Sequence, residues 1–497
     1  MLIDPKSIIR TLGALLFLMG IALIFPALVG WFYGEPTWTA FGWSAVISAV
    51  VGAVSWLVFY REDHELSIRE GFAVVALSWV VLSAFGALPF LWTGALDSYT
   101  DAFFETMSGF TTTGATILGG EGNPAIEAVP RSILFWRSLT HWLGGMGIIV
   151  LTLAILPLLG VGGMQLYRAE VPGPSADKLT PRVQETAKRL WLIYVGFTLL
   201  EAALLLPAMG WFDAINHAFA TMATGGFSTK NASVGQFDSA YIDVVIILFM
   251  YLAGVNFALH FRMLRGERIT VWKDTELRVY TAIVLLSSTL IFFALWSPAA
   301  SALGQHGLGY DHAAEALRHA TFQAVAIITT TGFGTADYVL WSPLAIGIIF
   351  ALFFVGGMAG STGGGLKVVR QILLFKNSFK EIRQLLHPHG VLPIRLNGRV
   401  VSAEVMRNVL SFVVLYFGLI GMGTLALAAM GIDLLTSLSA AFSAVGNVGP
   451  GFGLVGPAET YAPLPGAAKW LLTFLMMAGR LEIFTVLLFF SPDFWRR

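Results

Sequence analysis

Four short clusters rich in threonine and glycine recur along this sequence of 497 residues, and each offers oxygen atoms suited to a cation. They read TTTGAT at 111–116, ATGGFST at 223–229, TTTGFGT at 329–335 and GNVGPGFG at 446–453. Backbone carbonyls, with threonine hydroxyls beside them, can replace the hydration shell of a monovalent cation such as potassium. Glycine permits the backbone angles that direct successive carbonyls at one axis. The chemistry indicated is coordination of a dehydrated ion.

Each cluster contains three consecutive residues that we expect to donate carbonyls around a glycine. These candidate filter residues are Thr112, Thr113 and Gly114; Ala223, Thr224 and Gly225; Thr330, Thr331 and Gly332; and Asn447, Val448 and Gly449. In the fourth cluster Gly446 fits as well. We prefer Gly449 because Asn447 and Val448 precede it in the positions that threonines occupy in other clusters. A helix kink or small-residue packing explains any single cluster, but four copies favour one shared cavity.

Composition places these clusters in a membrane protein. The chain is 56% hydrophobic and only 12% charged, and apolar runs of about 20 residues, enough to cross a bilayer, recur from Ile9 to Phe490. The first run begins near Lys6 and Arg10 but is too long for a signal peptide and lacks a small-residue cleavage site. We expect it to be retained as a helix in the lipid bilayer.

The arrangement of the runs predicts an all-α integral membrane fold. Two leading helices precede four repeats, each made of a long helix, a short helix that ends at a cluster, and a second long helix. About ten full transmembrane helices would then surround a pseudo-fourfold central pore. The expected units are 1–68, 69–160, 161–266, 267–397 and 398–497. Short segments such as 101–110 and 433–443 would direct their negative carbonyl ends at the cation.

The second long helix of the third repeat is interrupted by VGGMAGSTGGGLK at 355–367. Each glycine costs a helix about 1 kcal/mol relative to alanine, so this run predicts a loop below the filter that acts as a gate. Close glycine packing between helices is an equally open explanation. The candidate gate residues are Gly356, Gly357, Gly360, Gly363, Gly364, Gly365 and Lys367. A phosphate-binding loop is rejected because Leu366 and Val368 occupy the wrong positions around the lysine.

Arg480 lies in an otherwise apolar helix with Glu482 close by. A buried charge in a membrane usually marks function because it is costly to place there. Arg480 either lies near the pore axis, pairing with the gate loop or repelling cations, or forms a structural ion pair or carbonyl anchor. The sequence leaves both interpretations open.

Charge fixes an orientation and excludes some partners. Lys and Arg are concentrated in the stretches 167–190, 262–278 and 376–407, which places the N-terminus in the cytoplasm and the clusters on the outer side. The formal net charge of zero gives no support for a nucleic-acid partner. The absence of cysteine excludes disulfides and thiolate metal sites.

Two rival functions, a secondary transporter and an intramembrane enzyme, would each need particular residues within the membrane. A secondary transporter that couples K⁺ to H⁺ or Na⁺ would favour carboxylates at mid-membrane depth, for which Glu201 and Glu482 are the candidates. An intramembrane enzyme would need a nucleophile with a base, or a metal cluster. The sequence contains neither a His-Glu-x-x-His nor a Gly-x-Ser-x-Gly pattern, so we expect no enzyme activity.

The four clusters, the glycine-rich interruption and AGRLEIF at 478–484 together resemble the Trk/Ktr/HKT superfamily of potassium transporters, most closely its bacterial TrkH/TrkG branch. The resemblance covers nearly the whole chain and implies K⁺ bound by the filter carbonyls, a gate at 356–365 and Arg480 as a positively charged constriction. It also implies a homodimer, a cytoplasmic TrkA-type ring of nucleotide-binding domains, and a bacterial inner membrane. Glycine at all four filter positions resembles the potassium-selective members, whereas Ala223 departs from the usual threonine. No organic cofactor is expected.

Overall fold

The computed structural model describes residues 4–59, 67–120, 122–150, 183–296, 298 and 309–495. These residues are mostly helical, which confirms the expected all-α class. Within them the strands are limited to one antiparallel ribbon, in which Arg395–Leu396 pairs with Arg399–Val400. The predicted boundary between residues 160 and 161 lies outside the described residues, and the division into five units stays a prediction.

The leading unit is a tightly packed helical hairpin. Its helices are α1 (Pro5–Ala22), α2 (Ile24–Phe32) and α3 (Trp38–Val58). A Cβ placed on Gly13 would meet the Gly52 carbonyl oxygen at 2.8 Å, and one on Gly20 would meet the Ala49 nitrogen at 2.8 Å. Small residues therefore let the backbones of α1 and α3 approach closely, as is typical of helix pairs in membranes.

The first two repeats follow. Repeat 1 contains α4 (Ile68–Gly86), α5 (Leu88–Trp92), α6 (Tyr99–Phe110) and α7 (Arg131–Val150). Repeat 2 contains α8 (Val183–Met222), α9 (Ala240–Ala253) and α10 (Phe257–Leu264), and α11 (Arg268–Trp272) begins the predicted unit 267–397. Gly210, with a φ of 75°, divides α8 into a long helix and a short one that ends at the second cluster.

The last two repeats have the same plan. Repeat 3 contains α12 (Thr275–Leu295), α13 (Ala313–Ile328), α14 (Pro343–Leu352) and α15 (Val368–Leu386). Repeat 4 contains α16 (Ala403–Ala429), α17 (Leu434–Gly446), α18 (Gly466–Arg480), α19 (Phe484–Phe490) and α20 (Pro492–Trp495). Single 3₁₀ turns cover Ile126–Ala128, Ser233–Phe237, Tyr338–Leu340 and Gly453–Val455.

The second long helices of three repeats are broken. The chain bends by 99° between α9 and α10 and by 120° between α18 and α19. Between α14 and α15, residues 353–367 are not helical at all, as the glycine run predicts. Six described helices are long and apolar enough to cross a membrane, or up to eight if each bent pair is one span. The expectation of about ten concerns the whole chain.

Apolar side chains cover the outside of this bundle. On α12, for example, Leu285 and Leu286 are 63% and 62% exposed, while Ser287 and Ser288 of the same helix are buried. The fully buried set includes many threonines and serines of the clusters and short helices. This distribution is the reverse of a water-soluble fold and indicates a multi-pass membrane protein whose polar groups line its interior.

A buried ion pair within repeat 1 lies near the first cluster and is linked to repeat 2 by a hydrogen bond. Arg137 of α7 lies 2.8 Å from Glu105 of α6, and both side chains are almost completely buried. Arg137 also donates to the Ser228 carbonyl at 3.0 Å and to the Thr116 hydroxyl at 3.0 Å. The Ile117 N–H donates to the same carboxylate at 2.8 Å. The network holds the end of the first cluster, at Thr116 and Ile117, against Ser228 of the second cluster.

We predict that Arg137→Met destabilises the fold by about 3–5 kcal/mol, because the Glu105 carboxylate would remain buried without its cation. Thermal unfolding of the detergent-solubilised protein measures the change. The matched control is Glu381→Gln, which removes an exposed ion pair with Lys380 (3.5 Å) and is expected to cost less than about 1 kcal/mol. Equal midpoints for Arg137→Met and the wild type would contradict the assigned role.

Candidate functional site

The four clusters close into a ring in chain order. A Cβ placed on Gly114 would collide with the Gly225 carbonyl oxygen, one on Gly226 with that of Thr331, and one on Gly332 with that of Val448. The ring is completed by Gly449, whose Cβ would meet the Thr113 carbonyl oxygen at 2.6 Å. Each cluster therefore presents a glycine to a carbonyl of the next, and any side chain at these glycines would displace backbone.

The backbone is the same in all four clusters. Each short helix ends with a residue in the left-handed region, with φ between 52° and 58°: Thr112, Thr224, Thr330 and Asn447. The N–H of the next residue donates to the carbonyl five residues earlier, at 2.8–3.0 Å, in the pairs Thr113–Ser108, Gly225–Ala220, Thr331–Ala326 and Val448–Ser443. A glycine with positive φ follows in each case: Gly114, Gly226, Gly332 and Gly449.

This equivalence shifts the second cluster by one residue. The structural counterpart of Thr112–Gly114 is Thr224–Gly226, whereas the triplet predicted from the sequence is Ala223–Gly225. Two adjacent glycines made the choice ambiguous, and the positive φ of Gly226 (82°) together with its contact with the Thr331 carbonyl identifies the equivalent position. Ala223 then corresponds to Thr111, outside the triplet. In the fourth cluster the equivalent glycine is Gly449, as preferred, and not Gly446.

The ring is rich in backbone carbonyls that lack protein partners. The structurally equivalent triplets are 112–114, 224–226, 330–332 and 447–449, and among the described residues only one of their carbonyl oxygens, that of Gly449, accepts a hydrogen bond. The non-glycine residues of these triplets are at most 1% exposed, whereas Gly114, Gly226 and Gly332 are partly exposed. Buried carbonyls are normally paired, so such a set indicates a place for a cation. The short helices also end here, and their carbonyl termini carry partial negative charge.

A cavity of about 160 Å³ opens onto one side of the ring. Gly114, Gly226, Gly332 and Gly449 all line it, so the glycines form the layer nearest this cavity. Its polar wall includes Arg137, Lys230, Glu459 and Tyr461. Within the described residues, no group of three His, Asp or Glu side chains could hold a metal ion.

The glycine-rich loop contacts the other side of the ring. The Gly364 N–H donates to the Thr330 hydroxyl at 2.7 Å, and a Cβ on Gly364 would meet the Gly446 carbonyl oxygen at 2.5 Å. The Thr362 hydroxyl donates to the Met222 carbonyl at 3.0 Å. The loop thus touches the ends of three short helices, and the ring lies between the loop and the cavity.

Three charged side chains hold the loop. Arg480 donates to the Thr362 carbonyl at 2.7 Å and to the Gly144 carbonyl at 3.4 Å. Lys367 donates to the Gly363 carbonyl. Sequence reasoning missed the third, Glu276, whose Oε1 accepts the Ala359 and Val369 N–H groups at 2.8 and 3.1 Å. Its only sequence signal is an acidic residue in the first turn of an apolar helix.

Arg480 and Glu482 lie close in sequence but have different partners in the structure. The Glu482 carboxylate pairs with Arg370 of α15 at 2.5 Å, and not with Arg480. Arg370 also stacks 3.7 Å above the Phe412 ring. Glu482 and Ile483 have φ values of 59° and 53°, which ends α18 and turns the chain into α19. Arg480 therefore fits two of the interpretations left open by the sequence. It is a carbonyl anchor, and it contacts the gate loop because the Thr362 carbonyl belongs to that loop.

Comparisons with known proteins cover nearly the whole chain. The TrkH family model, described as cation transport protein, matches residues 38–497. The chain is 43% identical to "Trk system potassium uptake protein TrkH" of Salmonella typhimurium, covering 99% of both chains, and 36% identical to "Trk system potassium uptake protein TrkG" of Escherichia coli, covering 97% of both.

A solved structure is similarly close. The crystal structure of the potassium transporter TrkH from Vibrio parahaemolyticus matches with a TM-score of 0.87 and 39% sequence identity, covering 99% of each chain. The matches in sequence and in fold both extend over nearly the whole chain. The chain therefore belongs to the TrkH family of cation transport proteins.

Proposed function

We propose that this chain is the ion-translocating subunit of a Trk-type potassium uptake system, with the ring of four triplets as its selectivity filter. The observation that carries the proposal is the ring of buried carbonyls, in which each glycine meets a carbonyl of the next cluster. The similar proteins are named as potassium uptake proteins. As a member of a cation transport family the chain is not an enzyme, in agreement with its sequence.

In this mechanism K⁺ enters the outer cavity, loses water and is coordinated by successive carbonyl layers. One layer consists of the carbonyls of Thr113, Gly225, Thr331 and Val448, against which the four glycines are packed. Because these carbonyls are held in place before the ion arrives, coordination needs little rearrangement of the protein. Ions then move down their electrochemical gradient through several weak sites.

The loop at 353–367 is the gate in this proposal. It lies against the ring on the side away from the cavity, where the Gly364 N–H donates a hydrogen bond to the Thr330 hydroxyl. Arg480 adds a fixed positive charge next to Thr362, which opposes the passage of a cation. Opening requires the loop to leave Arg480 and Glu276. The many glycines of the loop allow such a rearrangement.

Location and partners complete the proposal. The chain is placed in a bacterial inner membrane with a cytoplasmic N-terminus, since the basic stretches 262–278 and 376–407 then face the cytoplasm. The word "system" in the names of the similar proteins supports further components. We infer a homodimer with one pore per subunit and a cytoplasmic TrkA-type nucleotide-binding ring that acts on the gate. K⁺ is the cargo, and no organic cofactor is required by this chain.

Ion coupling is the second candidate, and one observation favours it. Glu201 of α8 is completely buried, and neither carboxylate oxygen accepts a hydrogen bond within the described residues. The neighbouring Thr221 hydroxyl donates to the His217 carbonyl instead. A buried carboxyl of this kind is suited to carrying a proton. The other candidate, Glu482, is committed to Arg370.

We predict that Gly114→Ser weakens discrimination between K⁺ and Na⁺ by about tenfold, because its side chain would displace the Gly225 carbonyl. The measurement is ⁸⁶Rb⁺ uptake into K⁺-loaded proteoliposomes with external K⁺ or Na⁺ as competitor, with and without the nucleotide-binding partner.

The matched control for the filter is Gly94→Ser. Gly94 also has a positive φ (70°), but a Cβ there has nothing within 4 Å, so the control carries the backbone strain without the filter contact. Uptake whose K⁺ and Na⁺ competition is the same in Gly114→Ser and Gly94→Ser would refute the filter assignment.

Arg480→Ala is expected to raise ion flux several-fold in the absence of the partner, because the loop loses its bond at the Thr362 carbonyl. The chain has no cysteine, so Ser361→Cys supplies a unique thiol in the loop. That thiol should react faster with a water-soluble reagent when Arg480 is absent. The exposed Arg407→Ala serves as control and should change neither rate. Slower flux with an unchanged thiol rate would argue against the gate.

Glu201→Gln distinguishes a channel from a proton-coupled transporter. For a channel we expect K⁺-driven Rb⁺ uptake to persist within about twofold, since the carboxyl touches no filter carbonyl. For a coupled cycle, uptake driven by a pH gradient would be lost. Measuring uptake with and without a pH gradient in the same proteoliposomes decides between them, and loss of gradient-driven uptake in the variant alone would establish coupling.

A further inference from the structure

One carbonyl of the outer glycine layer differs from the other three. The Gly449 carbonyl oxygen accepts hydrogen bonds from the Ser443 hydroxyl and from the Tyr461 hydroxyl, both at 2.7 Å. The corresponding carbonyls of Gly114, Gly226 and Gly332 accept no hydrogen bond from the described residues. The layer that faces the cavity is therefore not fourfold in its chemistry.

Backbone angle and burial show the same asymmetry. Gly114, Gly226 and Gly332 have φ values of 79°, 82° and 74°, whereas Gly449 has 101°. The first three are partly exposed, while Gly449 is buried. The backbone at Gly449 therefore differs from that at the other three glycines in both angle and exposure.

The two donors lie behind the fourth cluster, among the short helices. Ser443 belongs to α17, which leads into the cluster. Tyr461 is 2% exposed, and its ring lies 5.5 Å from that of Phe104 in α6. A carbonyl oxygen has two lone pairs, and two hydroxyl donors use both. The Gly449 carbonyl is then poorly able to coordinate a cation at the axis.

The other repeats lack this arrangement. The residues equivalent to Ser443, identified by the shared hydrogen bond at the helix end, are Ser108, Ala220 and Ala326. The two alanines have no hydroxyl, and the buried Ser108 hydroxyl has no partner among the described residues. A serine at this position is therefore not sufficient for a hydrogen bond to the glycine carbonyl. Tyr461 is the feature that distinguishes the fourth repeat.

We propose that Ser443 and Tyr461 withdraw one carbonyl from the outermost cation site, so that an entering ion meets three carbonyls and completes its shell with water from the cavity. This inference rests on the proposed filter function. Ser443 and Tyr461 are positioning residues that keep the entrance site weak. A weak first site favours onward movement of the ion, since conduction needs sites that release ions as well as bind them.

The test compares Ser443→Ala, Tyr461→Phe and the double variant with two matched controls. Ser108→Ala removes the equivalent but unpaired hydroxyl of repeat 1. Tyr338→Phe removes a buried tyrosine hydroxyl that donates to the Gly451 carbonyl at 2.7 Å, two residues beyond the glycine layer. The readout is the Rb⁺ concentration that gives half-maximal uptake, together with the K⁺ concentration that halves it, in proteoliposomes containing the full chain and its partner.

In the double variant the freed carbonyl should lower both concentrations about threefold or more, with smaller decreases in each single variant and none in the controls. General destabilisation would lower maximal uptake without improving affinity. Unchanged or weaker affinity in the double variant, with K⁺-competitive uptake intact in the wild type, would overturn this inference alone. Wild-type uptake indifferent to K⁺ would instead overturn the proposed function.

Discussion

The structure depends on one constraint, which is that non-helical backbone inside a membrane must find partners for its carbonyls. The four clusters break their helices at equivalent places, and a single break of this kind would leave carbonyls buried without compensation. The four breaks surround one axis, and in the proposed function a cation at that axis serves the carbonyls of all four. The short helices, the close glycine contacts and the outer cavity all follow from this arrangement.

Building the ring from one chain lets each repeat differ. Repeat 1 supplies Arg137, which ties its cluster to the second through the Ser228 carbonyl. In the third repeat the second long helix is interrupted by the loop that contacts Thr330. The fourth carries Asn447 at the left-handed position and engages the Gly449 carbonyl with two hydroxyls. A ring of four identical chains would have to place each of these features four times around the axis.

The loop illustrates how far local sequence can be read. Six glycines predict an interrupted helix, and residues 353–367 are indeed not helical. The anchors were only partly foreseen. Arg480 was identified from its apolar surroundings, whereas Glu276 was not, although its carboxylate accepts one N–H from within the loop and one from the start of α15. An acidic side chain at a helix start is common, and nothing in its own segment indicates that a distant loop folds back onto it.

The sequence by itself determined the class of the molecule, because 56% hydrophobic residues in repeated long runs can be buried only in a membrane, and the spacing of four clusters predicted one shared centre. It could not determine the second register, since Gly225 and Gly226 are equally permissive and the contact with the Thr331 carbonyl decides between them. Nor could it pair Glu482 with Arg370, which lies more than a hundred residues away. Periodicity and composition are local properties, whereas ring closure and charge pairing depend on which segments meet in space.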